Sequence, residues 1–562
     1  MARADSSYLK AAGYAAVIAL ALGCGDRARS VTTSTTGGTV VIAATGDPDV
    51  LFPPLATNVP ARQVTELIYD YLADIGTSLN VIGDAGFTPK LADRWRWSAD
   101  SLSISFHLNA KARWHDGAPV RSNDVVFTHD LYTSPRLGNP MTEELKSIDS
   151  VTAPDSLTNV FWFHARSPEQ FFTAVSMMLI LPQHVYGKLG GDSLRERASR
   201  VDPVGSGRFR FVRWTQGSSL EVAADTGNYR GRPPLDRVVW SVSPDYLGAL
   251  TKLNGGEADV FDALHADNVQ QVAANPNLRV ITLPGMDYAF LQFNLKDPSA
   301  KGASHPIFGS REMRRALTMA IDRDALVKNV FDTLGAVSVG PTIRALPTTS
   351  KSLVQIPYDT VRAAAILDSL GWKGRTRDGV RTRNGRELAF TMIVPASSSA
   401  RNRMAVLIQS QLKRAGVRAD IDKMEYQAFA DREGSRNFDA TFGAWHVTAD
   451  PSAVREVWTT SASRRKEGRN YGSYENPSFD ALLDSAAAAT EFSSGVRLYT
   501  RAYQLIVDDA PAVWLYEPKL VIGLQKRLVT RGLTPGSWWA GLGTWSIPPS
   551  ERIQRDIGGV RR

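Results

Sequence analysis

One stretch in the second half of the chain constrains the fold most. Residues 388–395 and 417–421 are apolar and strand-like, and residues 403–415 between them carry apolar side chains at helical spacing. A strand, a helix and a strand in immediate succession form a unit whose two strands pair in parallel with a right-handed crossover. The sequence therefore predicts an α/β fold for this half.

The chain of 562 residues is too long for one hydrophobic core, so two or three domains are expected. Its 43% hydrophobic and 22% charged residues are ordinary for a globular protein. Residues 101–108 alternate like a half-buried strand, and residues 63–72 predict a helix. Residues 311–334 predict two helices that meet near Asp322, and Asp359 is placed to cap another.

The N terminus has the pattern of an export signal. Two cations, Arg3 and Lys10, precede the twelve apolar residues 11–22, and the single cysteine, Cys24, follows where signal peptides are cut. Twelve residues are too few to cross a membrane, which takes about 20 in a helix. We therefore expect export rather than a membrane-spanning segment.

The residues before Cys24 resemble a bacterial lipobox, in which the cysteine is acylated and becomes the new N terminus. Ala21 stands where leucine is usual, so plain signal cleavage is the alternative. We predict a lipoprotein-type signal peptide over residues 1–23, lipidation of Cys24, and a polar flexible tether over residues 24–38.

Catalytic motifs are missing from the sequence. The eight histidines never form H-E-x-x-H, and no phosphate-binding loop occurs. The glycines of residues 204–207 directly flank Ser206, unlike the spacing of a nucleophile elbow. A single cysteine also rules out an intramolecular disulfide and a cysteine-cluster metal site. We expect no enzyme activity, no cofactor and no metal site.

The net charge of +8 raises the question of nucleic acid, but cations alternate with acids along most of the chain. The densest basic stretch, residues 373–386, contains Asn384 and Gly385, the dipeptide of a tight hairpin turn. A solvated hairpin is the better interpretation. His115, Asp116 and Gly117 are likewise interpreted as a turn rather than as metal ligands.

Residues 97–132 resemble the signature of the peptide/nickel-binding type of extracellular solute-binding protein, family 5 of bacterial ABC importers. The departures are Asn109, where arginine is common, and Trp114, where phenylalanine is. The matching residues are Trp97, Asp100, Phe106, Leu108, His115, Asp116, Gly117, Pro119, Asp124, Val125 and Phe127.

Further blocks follow in the family's order at residues 180–186, 205–209, 228–236, 256–259 and 470–477. The resemblance covers roughly residues 40–525. It implies a two-lobed periplasmic-binding-protein fold of the α/β class, with an extra subdomain in lobe one. The implied boundaries are residues 39–284 for lobe one, 285–515 for lobe two and 516–562 for a return to lobe one.

By the same resemblance, the segment from Trp445 to Pro451 meets the ligand at the end of an alternating strand. Peptide-binding members commonly have an aspartate three residues after this tryptophan, paired with the ligand's amino group. Here that position is Thr448, which leaves recognition of a free amine open, and no histidine follows His446 to bind nickel. The candidate ligand-binding residues are Thr57, Asn58, Trp445, Thr448, Asp450 and Tyr471.

The resemblance implies a substrate-binding component that captures oligopeptide-like solutes between two lobes and delivers them to the permease of an ABC importer. An oligosaccharide, a metal chelate or another polar metabolite is the alternative ligand, and a secreted hydrolase is a remote third. The expected protein is a monomer in the periplasm or on the outer face of the cell membrane, anchored by lipid, without nucleic acid. Ligand identity and length, and the cognate permease, stay open.

Overall fold

A computed structural model describes residues 35–557, except residues 190–193, 301 and 467. The predicted signal peptide, Cys24 and most of the predicted tether lie outside the described residues. Within the described part, every helix is too short or too polar to span a membrane.

A seven-stranded sheet organises the first lobe. Its central strand, Thr39–Ala44, is buried on both faces and pairs in parallel with strands on either side. Apolar residues therefore run almost without interruption along it, as expected for a strand covered on both faces. In order across the sheet the strands are Leu278–Leu283, Leu520–Gln525, Val260–Phe261, Thr39–Ala44, Arg237–Val242, Ser219–Ala224 and Phe209–Thr215.

A four-stranded antiparallel sheet forms the extra subdomain of this lobe. Phe106 and Phe161 meet edge to face across it at 5.3 Å, and both belong to the same core as the seven-stranded sheet. The strands are, in order, Ala92–Trp97, Ser103–Leu108, Thr158–Phe163 and Ile148–Asp155, and a small sheet beside them pairs Ala73–Ile75 with Phe87–Pro89.

A six-stranded sheet organises the second lobe. The predicted strand-helix-strand unit is present: Ala389–Pro395 pairs in parallel with Arg418–Met424, and helix Ser399–Arg414 connects them. The strands are, in order, Gly335–Ala336, Ala512–Pro518, Asp287–Phe293, Ala440–His446, Ala389–Pro395 and Arg418–Met424. A small three-stranded sheet contains Gly374–Arg375, Arg381–Arg383 and Arg386–Glu387.

Side-chain caps set many helix boundaries. Asp359 accepts a hydrogen bond from the amide of Arg362, so the predicted cap is present. Asp322, predicted as the junction of two helices, caps the second of them by accepting from the amide of Ala325. The first-lobe helices are Val59–Ile68, Ser122–Tyr132, Thr142–Leu145, Gln170–Ser176, Gln183–Tyr186, Leu194–Ala198, Tyr246–Asn254 and Val269–Ala274. The second-lobe helices include Arg311–Met319, Arg323–Val330, Thr360–Ser369, Ser399–Arg414, Tyr426–Gly434, Arg455–Trp458, Thr460–Arg464, Pro477–Ala487 and Phe492–Asp509.

The chain changes sheets twice at one place, which we call the hinge (residues 284–286 and 518–519). It passes from Leu278–Leu283 to Asp287–Phe293, and returns from Ala512–Pro518 to Leu520–Gln525. The return comes at Lys519, whereas the predicted boundary after residue 515 falls inside a strand of the second sheet. Two crossings side by side are the connection expected of a two-lobed protein that bends.

The two crossings touch through their backbones. A Cβ placed on Gly285 would lie 1.8 Å from the carbonyl oxygen of Pro518, far inside van der Waals contact. Only glycine, which lacks a Cβ, lets the two segments approach this closely. The close approach of the two crossings therefore requires glycine at position 285.

Both ends of the described chain are fastened to the first lobe by one arginine. Arg527 donates from Nε to Asp259 at 2.8 Å and from Nη2 to the carbonyl of Thr39 at 3.1 Å, and it also pairs with Asp556. Asp259 and Asp556 are fully buried. A buried carboxyl group is stabilised only when its oxygens are bonded, so these contacts form together.

Candidate binding site

A cavity of about 370 Å³ lies at the hinge, between the two lobes. The carboxyl ends of two parallel strands open into it at Ala44 and at Asp262, the residue after Phe261. This edge is where ligands bind in open α/β sheets. The second lobe supplies Asp287 and His446, so the walls come from both lobes. The volume lies in the range of sites for small molecules.

A buried hydrogen-bond network forms the first-lobe side of the cavity. The carboxylate of Asp262 accepts at Oδ2 from Gln63 Nε2 at 2.7 Å and from Trp538 Nε1 at 3.0 Å. Gln63 in turn accepts from Trp240 Nε1 at 2.8 Å. Burial raises the pKa of Asp262, although both donors oppose the shift. This network fixes the rotamers of the side chains that line the wall.

A second tryptophan of the wall holds another buried carboxyl group. Trp539 donates from Nε1 to Glu66 Oε2 at 2.7 Å, and Tyr71 lies at 3.5 Å from the other oxygen. Burial raises the pKa of Glu66, and this effect outweighs the hydrogen bond from Trp539. The adjacent tryptophans thereby attach the C-terminal segment to helix Val59–Ile68.

Arg62 lies on the same helix and lines the cavity. Its Nε is buried and has no hydrogen-bond partner, and the guanidinium forms no ion pair with any residue in the described part of the chain. Lys519, at the hinge, also lines the cavity and is exposed. On the second-lobe wall Asp287 and His446 pair with each other at 3.0 Å.

The first-loop residues predicted to bind ligand, Thr57 and Asn58, make local contacts. Asp49 accepts from the hydroxyl of Thr57 at 2.5 Å and from the amides of both residues. The side chain of Asn58 accepts from the amide of Ala61 and so caps helix Val59–Ile68. The helix therefore begins at Val59, earlier than the predicted start at residue 63. Neither residue lines the cavity, whereas Val59 and Pro60, which directly follow them, do.

The predicted aromatic residues of the second lobe form a pair. The rings of Trp445 and Tyr471 are 5.9 Å apart and tilted by 32°. Trp445 is half-buried and immediately precedes His446, which lines the cavity. Thr448 is exposed on the segment that follows. Their role in ligand contact stays a prediction.

Asp450 lies in a different place, where the lobes meet away from the hinge. It accepts from the amide and hydroxyl of Ser452, capping the turn Pro451–Val454. Glu169 of the first lobe faces it, and Tyr499 donates to Glu169 at 3.4 Å. We call this meeting point, with Leu79 packed into the second-lobe core beside it, the outer contact.

Two like charges meet at the outer contact. Burial raises the pKa of Glu169 to about 7, with the neighbouring Asp450 adding to the shift. Burial also raises the pKa of Asp450. Near neutral pH the pair therefore holds a proton that two isolated carboxyl groups would release.

Sequence reasoning missed most of the cavity wall. Arg62, Gln63, Asp262 and Trp538 were not predicted. Asp262 could have been found, because it directly follows a short strand at the edge where ligands bind. The tryptophans come from the C-terminal segment, nearly 500 residues from Arg62, and carry no local signal. Among the described residues no group of three or more His, Cys, Asp or Glu side chains is arranged to hold a metal.

Comparison with known proteins decides the family. Residues 86–466, more than half of the chain, match the model of the bacterial extracellular solute-binding proteins, family 5 Middle. The chain belongs to this family. The predicted resemblance is thereby confirmed.

Two peptide-binding proteins from other bacteria align over most of the chain. The oligopeptide-binding protein AppA of Bacillus subtilis is 26% identical over 498 residues, covering 88% of each chain. The dipeptide-binding protein of Escherichia coli is 24% identical over 524 residues, covering 88% of this chain and 92% of its own. The AppA structure in complex with a nonapeptide superposes with a TM-score of 0.74 at 24% identity, covering 91% of this chain and 99% of AppA. This family member thus has the two-lobed fold that the sequence predicts.

Proposed function

We propose that this protein is the extracytoplasmic substrate-binding component of an ABC importer and that it captures peptide-like solutes between its lobes. The observation that carries the proposal is the cavity at the hinge, whose walls come from both lobes. The names of the relatives, oligopeptide-binding and dipeptide-binding, support a peptide as the solute.

Capture follows from the position of the cavity. A solute that contacts Gln63 of the first lobe and His446 of the second binds more tightly when the lobes are closed. Only such a difference in affinity shifts an equilibrium between open and closed forms. The closed form then docks on the permease, and the solute passes to it.

Native mass spectrometry of the protein purified from its own host tests the ligand class. We expect a spread of retained masses that fragment as peptides, together with a smaller radius of gyration in X-ray scattering than for ligand-free protein. A single retained sugar mass would replace peptide by oligosaccharide. Turnover of added peptide without retention would contradict a binding protein.

The site and the cellular location are parts of the same proposal. Trp445 and Tyr471 offer aromatic faces on which peptide bonds can stack, which supports their role as ligand contacts. Export and acylation of Cys24 are supported by the apolar run and the cysteine that follows it. Labelling with a palmitate analogue should mark the wild type and not Cys24→Ala, and light scattering of the purified protein should give a monomer mass.

A further inference from the structure

The acids and the cations that line the hinge cavity differ in whether they have partners within the protein. Both acids on its wall have partners: Asp262 accepts from Gln63 and Trp538, and Asp287 pairs with His446. Burial also raises the pKa of Asp262, which favours its neutral form. Both acids that line the cavity therefore already have hydrogen-bond partners within the protein.

The cations that line the same cavity have no such partners. Arg62 and Lys519 form no side-chain hydrogen bond or ion pair with the residues for which the structure gives coordinates. Glu66 on the same helix is close enough for Arg62 to lower its pKa, but its oxygens accept from Trp539 and Tyr71, and no hydrogen bond or ion pair joins it to Arg62. Lys519 is exposed, but Arg62 is half-buried with its Nε fully enclosed.

An enclosed guanidinium nitrogen without a hydrogen-bond partner is unfavourable, because its loss of water is not compensated. The Nε atoms of Arg208, Arg230 and Arg279 are enclosed in the same way, but those side chains donate through their other nitrogens. The Arg62 guanidinium forms no hydrogen bond with the described residues, and this calls for a specific explanation. Arginine also differs from lysine in presenting a planar fork of donors that fits a carboxylate with two parallel hydrogen bonds. The position of Arg62 on a cavity wall places that fork where a bound solute can reach it.

We infer that Arg62 is the counter-ion for a carboxylate of the bound solute, with Lys519 as a weaker, solvent-exposed second cation. This inference rests on the proposed function, because it takes the hinge cavity as the place where the solute binds. It adds that the solute is an acid, and that its carboxylate binds the first lobe. The carboxylate can be the C terminus of a peptide or an acidic side chain.

Three libraries of short random peptides test the inference and separate those two sources. The first has free C termini and no Asp or Glu, the second is the same set with C-terminal amides, and the third is amidated with one Glu per peptide. Full-length protein in detergent is incubated with each library, and retained peptides are quantified by native mass spectrometry. We expect at least about ten-fold more retention from the first or third library than from the second.

Single substitutions show which cation is responsible for the preference for carboxylates. Arg62→Met should lose the preference for carboxylates, Arg62→Lys should keep part of it, and Lys519→Met should reduce it less. Arg377→Met, an exposed arginine far along the chain in the basic hairpin, removes the same charge and should keep the preference. Thermal unfolding of each variant shows whether it is folded.

The outcomes distinguish the two proposals. Equal retention of all three libraries by the wild type would overturn the carboxylate inference and leave peptide capture standing. A preference that survives in folded Arg62→Met would also overturn it. Retention of no library at all would contradict peptide capture, and the inference would fall with it.

Discussion

Two of the places where the lobes meet differ in construction. At the hinge, two backbone crossings touch at Gly285, and a cavity opens beside them. Its acids have partners, whereas its cations, Arg62 and Lys519, form no ion pair with the described residues. At the outer contact only side chains meet, and they bring together two carboxyl groups, Glu169 and Asp450. The hinge is thus held by covalent connection and packing, whereas the outer contact brings together carboxyl groups whose pKa values are raised by burial.

The largest effect is expected from Gly285→Ala, because the new methyl group would overlap the carbonyl of Pro518. Relieving that overlap forces the crossings apart and should lower the free energy of unfolding by about 3 kcal/mol. Urea denaturation gives the value. Gly434→Ala is the control, since a Cβ there meets no atom within 4 Å. A change at Gly285 no larger than at Gly434 would mean that the crossings are not tightly packed.

Trp539→Phe tests the wall of the hinge cavity. It removes the donor to Glu66 and leaves a carboxyl group enclosed without its hydrogen bond, so we expect a loss of about 2 kcal/mol in the free energy of unfolding. Trp162→Phe also removes an indole hydrogen bond, to Thr152, but at a side chain that is 45% exposed. Equal losses in the free energy of unfolding would mean that the enclosed hydrogen bond stabilises the protein no more than the exposed one.

The outer contact should respond to pH. The pKa of Glu169 is raised from its ordinary 4.5 to about 7, so the stabilisation from its neutral form is complete below pH 4.5 and is lost as pH rises through 7. Asp450, Tyr499, Tyr503 and Arg455 are the ionisable groups that face the pair. Glu169→Gln cannot ionise, and it should be more stable than the wild type at pH 8 by about 1 kcal/mol.

A second buried glutamate serves as the control for that pH dependence. Burial raises the pKa of Glu433 to about 7 as well, but this residue bonds Thr441 within the second lobe. Glu433→Gln should therefore flatten the pH dependence of unfolding without altering the radius of gyration between pH 5 and 8. Glu169→Gln should flatten the pH dependence of unfolding and also the pH dependence of the radius of gyration. Identical scattering profiles for the two variants would show that the outer contact does not control the separation of the lobes.

The smallest effect is expected from the ion pair between Arg403 and Asp267, which also bridges the lobes. The atoms are 2.9 Å apart, but the side chains are 45% and 56% exposed, so solvent screens the interaction. Arg403→Ala should change the free energy of unfolding by less than about 0.5 kcal/mol, and not at all in high salt. Arg465→Ala, which breaks an equally exposed pair to Glu456 at 2.7 Å within one lobe, should match it. A larger, salt-sensitive loss only at Arg403 would make this pair a third lobe contact.

Local chemistry made much of the fold predictable. Asp359 caps a helix as predicted, and Asp322 lies at the predicted junction of two helices, because a carboxylate satisfies free amides wherever a helix begins. Asn384 and Gly385 have positive φ angles of 53° and 75° and form the predicted hairpin turn. Such residues act on neighbours a few positions away, so the sequence is sufficient to interpret them.

The candidate site was less predictable because its parts are distant in sequence. Asn58 looked like a ligand contact from the family pattern, yet its amide is engaged in capping, which the same Asn-Val-Pro sequence also indicates. Arg62 gave no signal, since an arginine on a helix is most often solvated. Only the position of Trp538 and Asp262 around it shows that the helix faces a cavity.

The Arg527 network has a consequence for the order in which the molecule is assembled. Strand Leu278–Leu283 joins the first sheet only through Leu520–Gln525, and Asp259 lacks its counter-ion until Arg527 is present. All strands of the second lobe precede these residues in the chain. During synthesis the second lobe can therefore complete its core while the sheet of the first lobe still lacks a strand. The first lobe is begun first and completed last.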